Sequence, residues 1–343
     1  MKSSRVVAVG LVALLSVGLL GGTSFAAEKR QILIGGGRTT SPWYAFAQAL
    51  AKFINDKSDW LSAEAVSTAG VTGNVDLCKE KPKQYIGLNT LSHIHYNPGH
   101  EWGEMRGTYT GYRFIANANS STQCFITYDS KLKTVKDLAG KVVDVGRKGA
   151  ANTMDHKALL EKYGVLDKVT LVYTGYGGGG DKMKDGLVDT TMQLFDHIYP
   201  KTFSKGGLIE SGATKGPIYY IGFDKAILDD LMDKEYATVP VWVPAKALDP
   251  VTQPEGLWAL GDPSYFMADE GMDDDVVYEI TRIIWETPPE EWARWHPMGA
   301  HMTAQFKPAM PSLKHYKAHA GAKKFYDEKG IKLVDLAEAL QQP

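Results

Sequence analysis

The feature that most constrains this chain is a glycine run set between an apolar strand and an amphipathic helix. Residues 30 to 55 read "RQILIGGGRTTSPWYAFAQALAKFIN". "RQILIGGG" has the apolar density of a buried strand that ends in glycines. In "SPWYAFAQALAKFINDK", Ser41 is a good N-cap and Pro42 fits the first turn. Phe46, Leu50, Phe53 and Ile54 then share one helix face. A second cycle follows, with "LSAEAVST" as strand, "AGVTGN" as turn, "VDLCKEK" as short helix and "QYIGL" as strand. Strand, polar turn, helix, strand is the rhythm of an α/β domain built on a parallel sheet.

The pattern restarts near residue 112. "FIANANSSTQCFITY" holds two strand-like runs, "TVKDLAG" is a capped helix stub and "KVVDVG" is a short apolar strand. "RKGAANTMDHKALLEKYGV" turns from a glycine loop into a helix, and "KVTLVYT" is another strand. The glycines of "YGGGGDKMKDG", from Tyr176, read as a loop near the lobe junction, and "DKMKDGLVDTTMQL" reads as helix, turn and strand. Beyond residue 225 the chain turns helical and proline-rich. "DDDVVYEITRIIWET" is a strong helix whose acidic first turn suits the helix dipole. Thr287-Pro288-Pro289-Glu290 reads as a capping box, and "SLKHYKAHAGAKKFYDEKG" as a helical piece broken near Gly321. The expected architecture is an α/β clamp of two lobes, residues 28–118 plus about 230–343 and residues 119–229, with a helical C-terminal return.

The first residues set the expected compartment. Lys2 and Arg5 precede an apolar run from Val6 to Leu20, and Ser24-Phe25-Ala26 supplies small residues for cleavage. Residues 1–27 are therefore read as a signal peptide, with a soluble extracytoplasmic chain starting near Ala27 or Glu28. The apolar run falls short of the about 20 residues of a membrane span. Without Lys2 and Arg5, 36 basic residues stand against 40 acidic ones, a net charge of −4. That balance argues against nucleic acid or an anionic membrane surface as partner. Cys78 and Cys124 fit either a single disulfide or two buried thiols.

Three loops carry the candidate chemistry. A helix start bears about half a positive charge and unpaired N–H groups, so a loop leading into one can hold an anion. Gly35 to Gly37 allow close approach there, Arg38, Thr39, Thr40 and Ser41 add donors, and Trp43 and Tyr44 offer flat apolar walls. An anion cradle and a plain strand-to-helix turn both fit. The glycine spacing matches neither a dinucleotide fingerprint nor a P-loop. Thr72, Gly73 and Asn74 open a second helix, and "GRKGAANT", Gly146 to Thr153, opens one in the other lobe. Arg147 and Lys148 there either pair with a second anionic group or are solvated. His93, His95 and His100 lack a further ligand at metal spacing and are read as loop or interface histidines. With no nucleophile elbow, no HExxH and no Ser–His–Asp set, the polar groups are expected to hold a ligand and not to react with it. No cofactor is expected.

The chain resembles the TAXI family, the solute receptors of TRAP (tripartite ATP-independent periplasmic) transporters, almost from end to end. "IGGGRTTSPWYAFAQALAKFIN", "VSTAGVTGNVDL", "TVKDLAGKVVDVGRKGAANT" and "DDDVVYEITRIIWE" carry the likeness. The resemblance implies a type II periplasmic-binding-protein-like clamp, with lobes that close on a small carboxylate and deliver it to a TRAP-type permease. It gives a binding role to Arg38, Thr39, Thr40, Ser41 and Tyr44 in the first loop and to Thr72 and Asn74 in the second. In the third it gives one to Ala150, Asn152 and Thr153, and through "LFDHIYP" to Asp196 and His197. The departures add positive charge: Arg38 and Arg147 stand where small residues are usual. They point to a ligand richer in negative charge than a simple amino acid, such as a dicarboxylate or a sulfonated acid. The competing readings are a receptor for an ABC importer or membrane sensor, and an enzyme using a pair such as Asp196 and His197.

Overall fold

A computed structural model describes residues 29–90, 107–148, 151–174, 178–198, 202–203, 216–233, 239–314 and 316–341. Residues 1–28, which hold the expected signal peptide, and His93, His95, His100 and Ala150 lie outside them. Strand β1 (Arg30–Gly35) is central, since Ile32 and Ile34 are fully buried. Helix α1 (Pro42–Lys57) follows, with Ser41 as N-cap accepting from the Tyr44 N–H at 3.3 Å. It buries Phe46, Leu50, Phe53 and Ile54, the face expected from the sequence. β2 (Leu61–Val66) pairs with β1 in parallel. α2 (Val71–Glu80) starts after Gly70, whose φ of +88° is one that glycine adopts without strain. β3 (Tyr85–Asn89) closes the second cycle on the other edge of β1.

The next strand departs from expectation. "FIANANSSTQCFITY" is not two runs but one 16-residue strand, β4 (Tyr112–Thr127). Polar residues interrupt the apolar pattern at Asn117–Gln123 without interrupting the backbone; they are buried, and the Asn117, Ser121 and Gln123 side chains donate hydrogen bonds. β5 (Val142–Asp144), α3 (Ala151–Lys162), β6 (Thr170–Val172), α4 (Gly178–Lys184) and β7 (Thr190–Ile198) build the second parallel unit. α4 corrects another expectation, since Gly178 to Gly180 are helical. A Cβ on Gly179 would come within 2.0 Å of an Asp144 carboxylate oxygen, so only glycine lets this helix approach β5.

The short strands β8 (Thr202–Phe203) and β9 (Tyr219–Ile221) pair with β7 and β4. α5 (Lys225–Asp233) and β10 (Val239–Val243) follow, and β10 pairs with the start of β11 (Leu257–Asp269). β11 lies in a stretch read as helical and proline-rich. Its first five residues pair with β10, and its remainder pairs with β4 and β3. The sheet order β2-β1-β3-β11-β4-β7-β5-β6 thus joins two parallel units through two long antiparallel strands. This is the two-lobed α/β architecture.

The C-terminal return packs on the first unit. α6 (Asp274–Glu286) buries Val276, Val277, Ile280, Ile283 and Ile284. Thr287 is its C-cap and donates its hydroxyl to the Ile283 carbonyl, so the expected capping box does not form at α7 (Pro289–Ala293). Lys307 is buried and donates to the Trp285 and Thr287 carbonyls at 2.9 and 2.8 Å, satisfying that helix end. Burial, with Lys57 nearby, pulls its ammonium down to about 8. The short strand pair β12 (Ala309–Met310) and β13 (Val334–Asp335) brackets α8 (Ala320–Glu328), and α9 (Leu336–Gln341) ends the described chain. Gly321 is no break: it lies in the first turn of α8, where a Cβ would meet the Asp274 carbonyl at 2.1 Å. Trp292 plugs the first core, with ring centroids 5.8 Å from Phe46, 5.0 Å from Phe53 and 5.9 Å from Phe266.

Cys78 and Cys124 are free, fully buried thiols. Ellman's reagent should titrate two thiols in denaturant and none in the native chain over minutes. Trp292→Ala should lower unfolding free energy by about 3–5 kcal/mol in urea titration, because the neighbouring rings cannot collapse into its space.

Candidate functional site

The carboxyl ends of β1 and β2 carry the first and second candidate loops, and that of β5 carries the third. The first two are held together from below. Asn74 is fully buried and donates its amide to the Gly36 carbonyl at 2.8 Å and to the Leu88 carbonyl. Its oxygen accepts from the Thr68 hydroxyl at 2.7 Å and the Tyr85 hydroxyl at 2.8 Å. The Gly37 carbonyl accepts from the Thr68 N–H at 3.0 Å and from the Ser67 hydroxyl at 3.2 Å. The Gly36 and Gly37 carbonyls are thus turned inward and paired. Among the described residues, the N–H groups of Gly37, Arg38, Thr39 and Thr40 take no hydrogen bond, and the last three residues are exposed. Gly36 is needed because a Cβ there would meet the Tyr44 Cα at 2.6 Å.

These contacts sort the first-lobe residues. Arg38, Thr39 and Thr40 face solvent beside the start of α1, and Ser41 caps that helix. Trp43 packs partly on the core. Tyr44 lines a groove of about 410 Å³ along the outer side of α1, with Gln48, Lys52 and Trp295. Thr72 is half-buried in the first turn of α2. Asn74 positions the loops from beneath.

The second lobe uses a carboxylate for the same purpose. Asp144 ends β5 and is buried. It accepts from the Gly146 and Thr174 N–H groups at 3.3 and 3.1 Å and from the Thr191 hydroxyl at 2.7 Å. Thr153 is buried and donates to the Arg147 carbonyl at 2.8 Å, so it shapes the loop. Arg147 and Lys148 are exposed and Asn152 is half-buried. Asp196 and His197 sit in β7 opposite Ser121 and Ser120 of β4, beside the polar crossing, though their side chains lie outside the described set.

The crossing itself went unmarked in the sequence reading. Asn117, Asn119, Ser120, Ser121, Thr122 and Gln123 are buried in β4. Ser264 of β11 donates to Asn119, and Gln123 donates to Asp262 at 3.3 Å. His156 of α3 places Nδ1 2.8 Å from the Val145 carbonyl and Nε2 2.7 Å from the Gln123 amide oxygen. Burial pushes the Asp262 carboxyl up to about 8, with the charge of Asp155 adding to it, and burial holds the His156 imidazolium below the usual histidine range. The available signal was a polar run, "NANSSTQ", between apolar flanks in one strand-like stretch. Among the described residues no group of three or more His, Cys, Asp or Glu side chains is placed to hold a metal ion, and no helix is long and apolar enough to cross a membrane.

The model of the NMT1-like family matches residues 34–330, and the chain belongs to that family. Among solved structures, XAC2383 of Xanthomonas citri with bound chloride matches at TM-score 0.47 and 11% identity, over 88% of this chain and 100% of that one. A chain described with glutathione import through GshT and the cystine ABC importer TcyBC of Streptococcus mutans matches at 0.46 and 15%, over 80% and 95%. The periplasmic aliphatic sulphonate binding protein SsuA of Escherichia coli matches at 0.43 and 12%, over 92% and 98%.

Asn74→Ala should lower unfolding free energy by about 3 kcal/mol, because it strands buried carbonyl and hydroxyl partners. Arg38→Ala should stay within about 0.5 kcal/mol of the parent. Urea titration of both variants checks the contrast between a supporting residue and an exposed loop residue.

Proposed function

We propose that this NMT1-like chain is an extracytoplasmic solute receptor that captures a small organic anion between its lobes and delivers it to a TRAP-type permease. The observation that carries this reading is the state of the first loop. The Gly36 and Gly37 carbonyls are tied down by Asn74 and Thr68 while the N–H groups of Gly37 to Thr40, beside the positive end of a 16-residue helix, take no partner among the described residues. A loop that served only to connect strand to helix would not need a buried asparagine to aim its donors outward.

Charge refines the ligand class. Arg38 stands on the first loop and Arg147 on the third, both exposed. Guanidinium forks from the two lobes fit a di-anion bridging them, a dicarboxylate or a sulfonated acid. Thr39, Thr40, Ser41 and Asn152 add hydrogen bonds, and Trp43 and Tyr44 supply apolar surface at the first loop. Ala150 and Thr153 shape the third loop, Thr72 the second, and Asp196 and His197 border the cleft from β7. Closure follows from the crossing strands: the ligand favours the form in which both lobes reach it, and the permease reads that form. The end-to-end TAXI resemblance supports a TRAP partner; a neighbouring permease gene of that class would agree with it, and a neighbouring ATPase gene would favour an ABC importer.

A thermal-shift screen with C4-dicarboxylates, 2-oxoglutarate, glutamate and small sulfonates tests the reading. At about 100 times its dissociation constant a ligand adds roughly 2.7 kcal/mol, a shift of several degrees. Di-anions should shift the parent, and Arg38→Ala or Arg147→Ala should abolish the shift without lowering the unliganded Tm. A tighter neutral ligand would overturn the charge argument, and turnover of a bound acid lost in His197→Ala would replace receptor with enzyme.

A further inference from the structure

We propose that His156, Gln123 and Asp262 form a proton-dependent latch that fixes the second-lobe helix α3 to the crossing strands β4 and β11. The three residues come from three elements and meet in one hydrogen-bonded row. His156 Nε2 lies 2.7 Å from the Gln123 amide, and that amide lies 3.3 Å from an Asp262 carboxyl oxygen. The far end of the row is fixed, because the Val145 carbonyl 2.8 Å from Nδ1 only accepts, so Nδ1 carries a hydrogen.

The chemistry of the row then requires one additional proton. An amide has one donating end and one accepting end. With Gln123 oxygen toward the histidine, Nε2 must be protonated, and the amide N–H donates to an Asp262 carboxylate. With the amide turned end for end, its N–H donates to a neutral Nε2, and Asp262 must be protonated to donate to the amide oxygen. Each arrangement completes both contacts and holds the same single proton, on the histidine in one and on the carboxyl in the other. Without that proton, the amide oxygen faces either a lone pair or a carboxylate, and one contact fails. The proton belongs to the row as a whole, and its release is a property of the pair.

The surroundings place it. Among the described residues, the charged and titratable groups facing His156 are Asp144 from β5 and Asp155 from its own helix, and those near Asp262 are Asp155 and Tyr265. These carboxylates favour holding a proton in the row, and burial of the imidazole directs it to Asp262, whose carboxyl is raised to about 8. Between the ordinary histidine range and that value the folded row holds a proton that both groups have released in the unfolded chain, so stability falls as pH rises across that window. Above it the latch is open, and α3, which begins at the third loop, is released from the crossing strands.

The test uses the ligand-free chain, so its outcome is independent of the solute the cleft takes. Asp262→Asn supplies a permanent amide donor and keeps the row complete at every pH. In the parent, the Asp262 carboxyl ¹³C and His156 ¹⁵N resonances should move together in one alkaline step. Hydrogen exchange in residues 151–162 should rise across that step beyond its intrinsic pH dependence. In Asp262→Asn the step should vanish, and the parent's Tm should fall relative to the variant's from pH 5 to 8. Separate titration of the two groups in the parent, or an unchanged histidine step in the variant, would overturn the latch; the parent titration decides even if the variant does not fold.

Discussion

The antiparallel contact of β4 with β11, from Tyr112 opposite Asp269 to Ser121 opposite Asp262, is where the two halves of the molecule meet. A strand that serves two lobes must be buried along its length while leaving room for the lobes to move. β4 meets the first demand with apolar ends, Phe114 and Ile115 on one side and Cys124, Phe125 and Ile126 on the other. Its centre is polar, and buried polar groups cost free energy unless they are paired. Ser264, Asp262 and His156 therefore supply partners, while the Asn117 amide donates to the Ala309 carbonyl of the C-terminal return at 2.9 Å. Hydrogen bonds between side chains can be exchanged for others as backbone angles change, whereas interlocked apolar packing resists such change. The polar centre thus supplies cohesion between the strands and the elements packed on them.

The two lobes reach one result with different residues. In the first, the neutral amide of Asn74 both donates and accepts, tying loop carbonyls, a tyrosine and a threonine. In the second, the Asp144 carboxylate only accepts, gathering two backbone N–H groups and one hydroxyl. Both are buried, and both lie beneath loops whose charged residues, Arg38 and Arg147, remain exposed. Because the support is buried, exposed loop positions can differ while the scaffold keeps its geometry. Thr153 likewise supports: its hydroxyl holds the Arg147 carbonyl.

Legibility in the sequence tracked how local each signal was. β1, α1, β2, α2 and β3 were readable because strand density, a capping serine, Pro42 and one apolar helix face all act within a few residues. α6 was readable for the same reason. β4 was not read as one strand, since its polar centre resembles a break until partners from β11 and α3 are present. The glycines of α4 read as loop because their helical use depends on Asp144 and Thr191, which are distant in sequence. Thr287 read as the start of a capping box because only the path of the preceding helix makes it a C-cap.

Of the candidate site, the first loop and its residue types were legible, but the division of labour inside it was not. Glycines before an amphipathic helix determine a strand-to-helix turn with donors at a positive helix end, and this holds wherever such a stretch occurs. Whether Asn74 faces a ligand or holds the loop depends on Tyr85, Thr68 and Leu88 arriving around it. The row from His156 to Asp262 depends on residues more than a hundred positions apart. The amino-acid order by itself determined the α/β alternation and where donors gather, because those follow from periodicity and helix ends. Tertiary structure alone decided which polar groups are buried in pairs and where the chain crosses between lobes, because burial and pairing are set by neighbours that are remote along the chain.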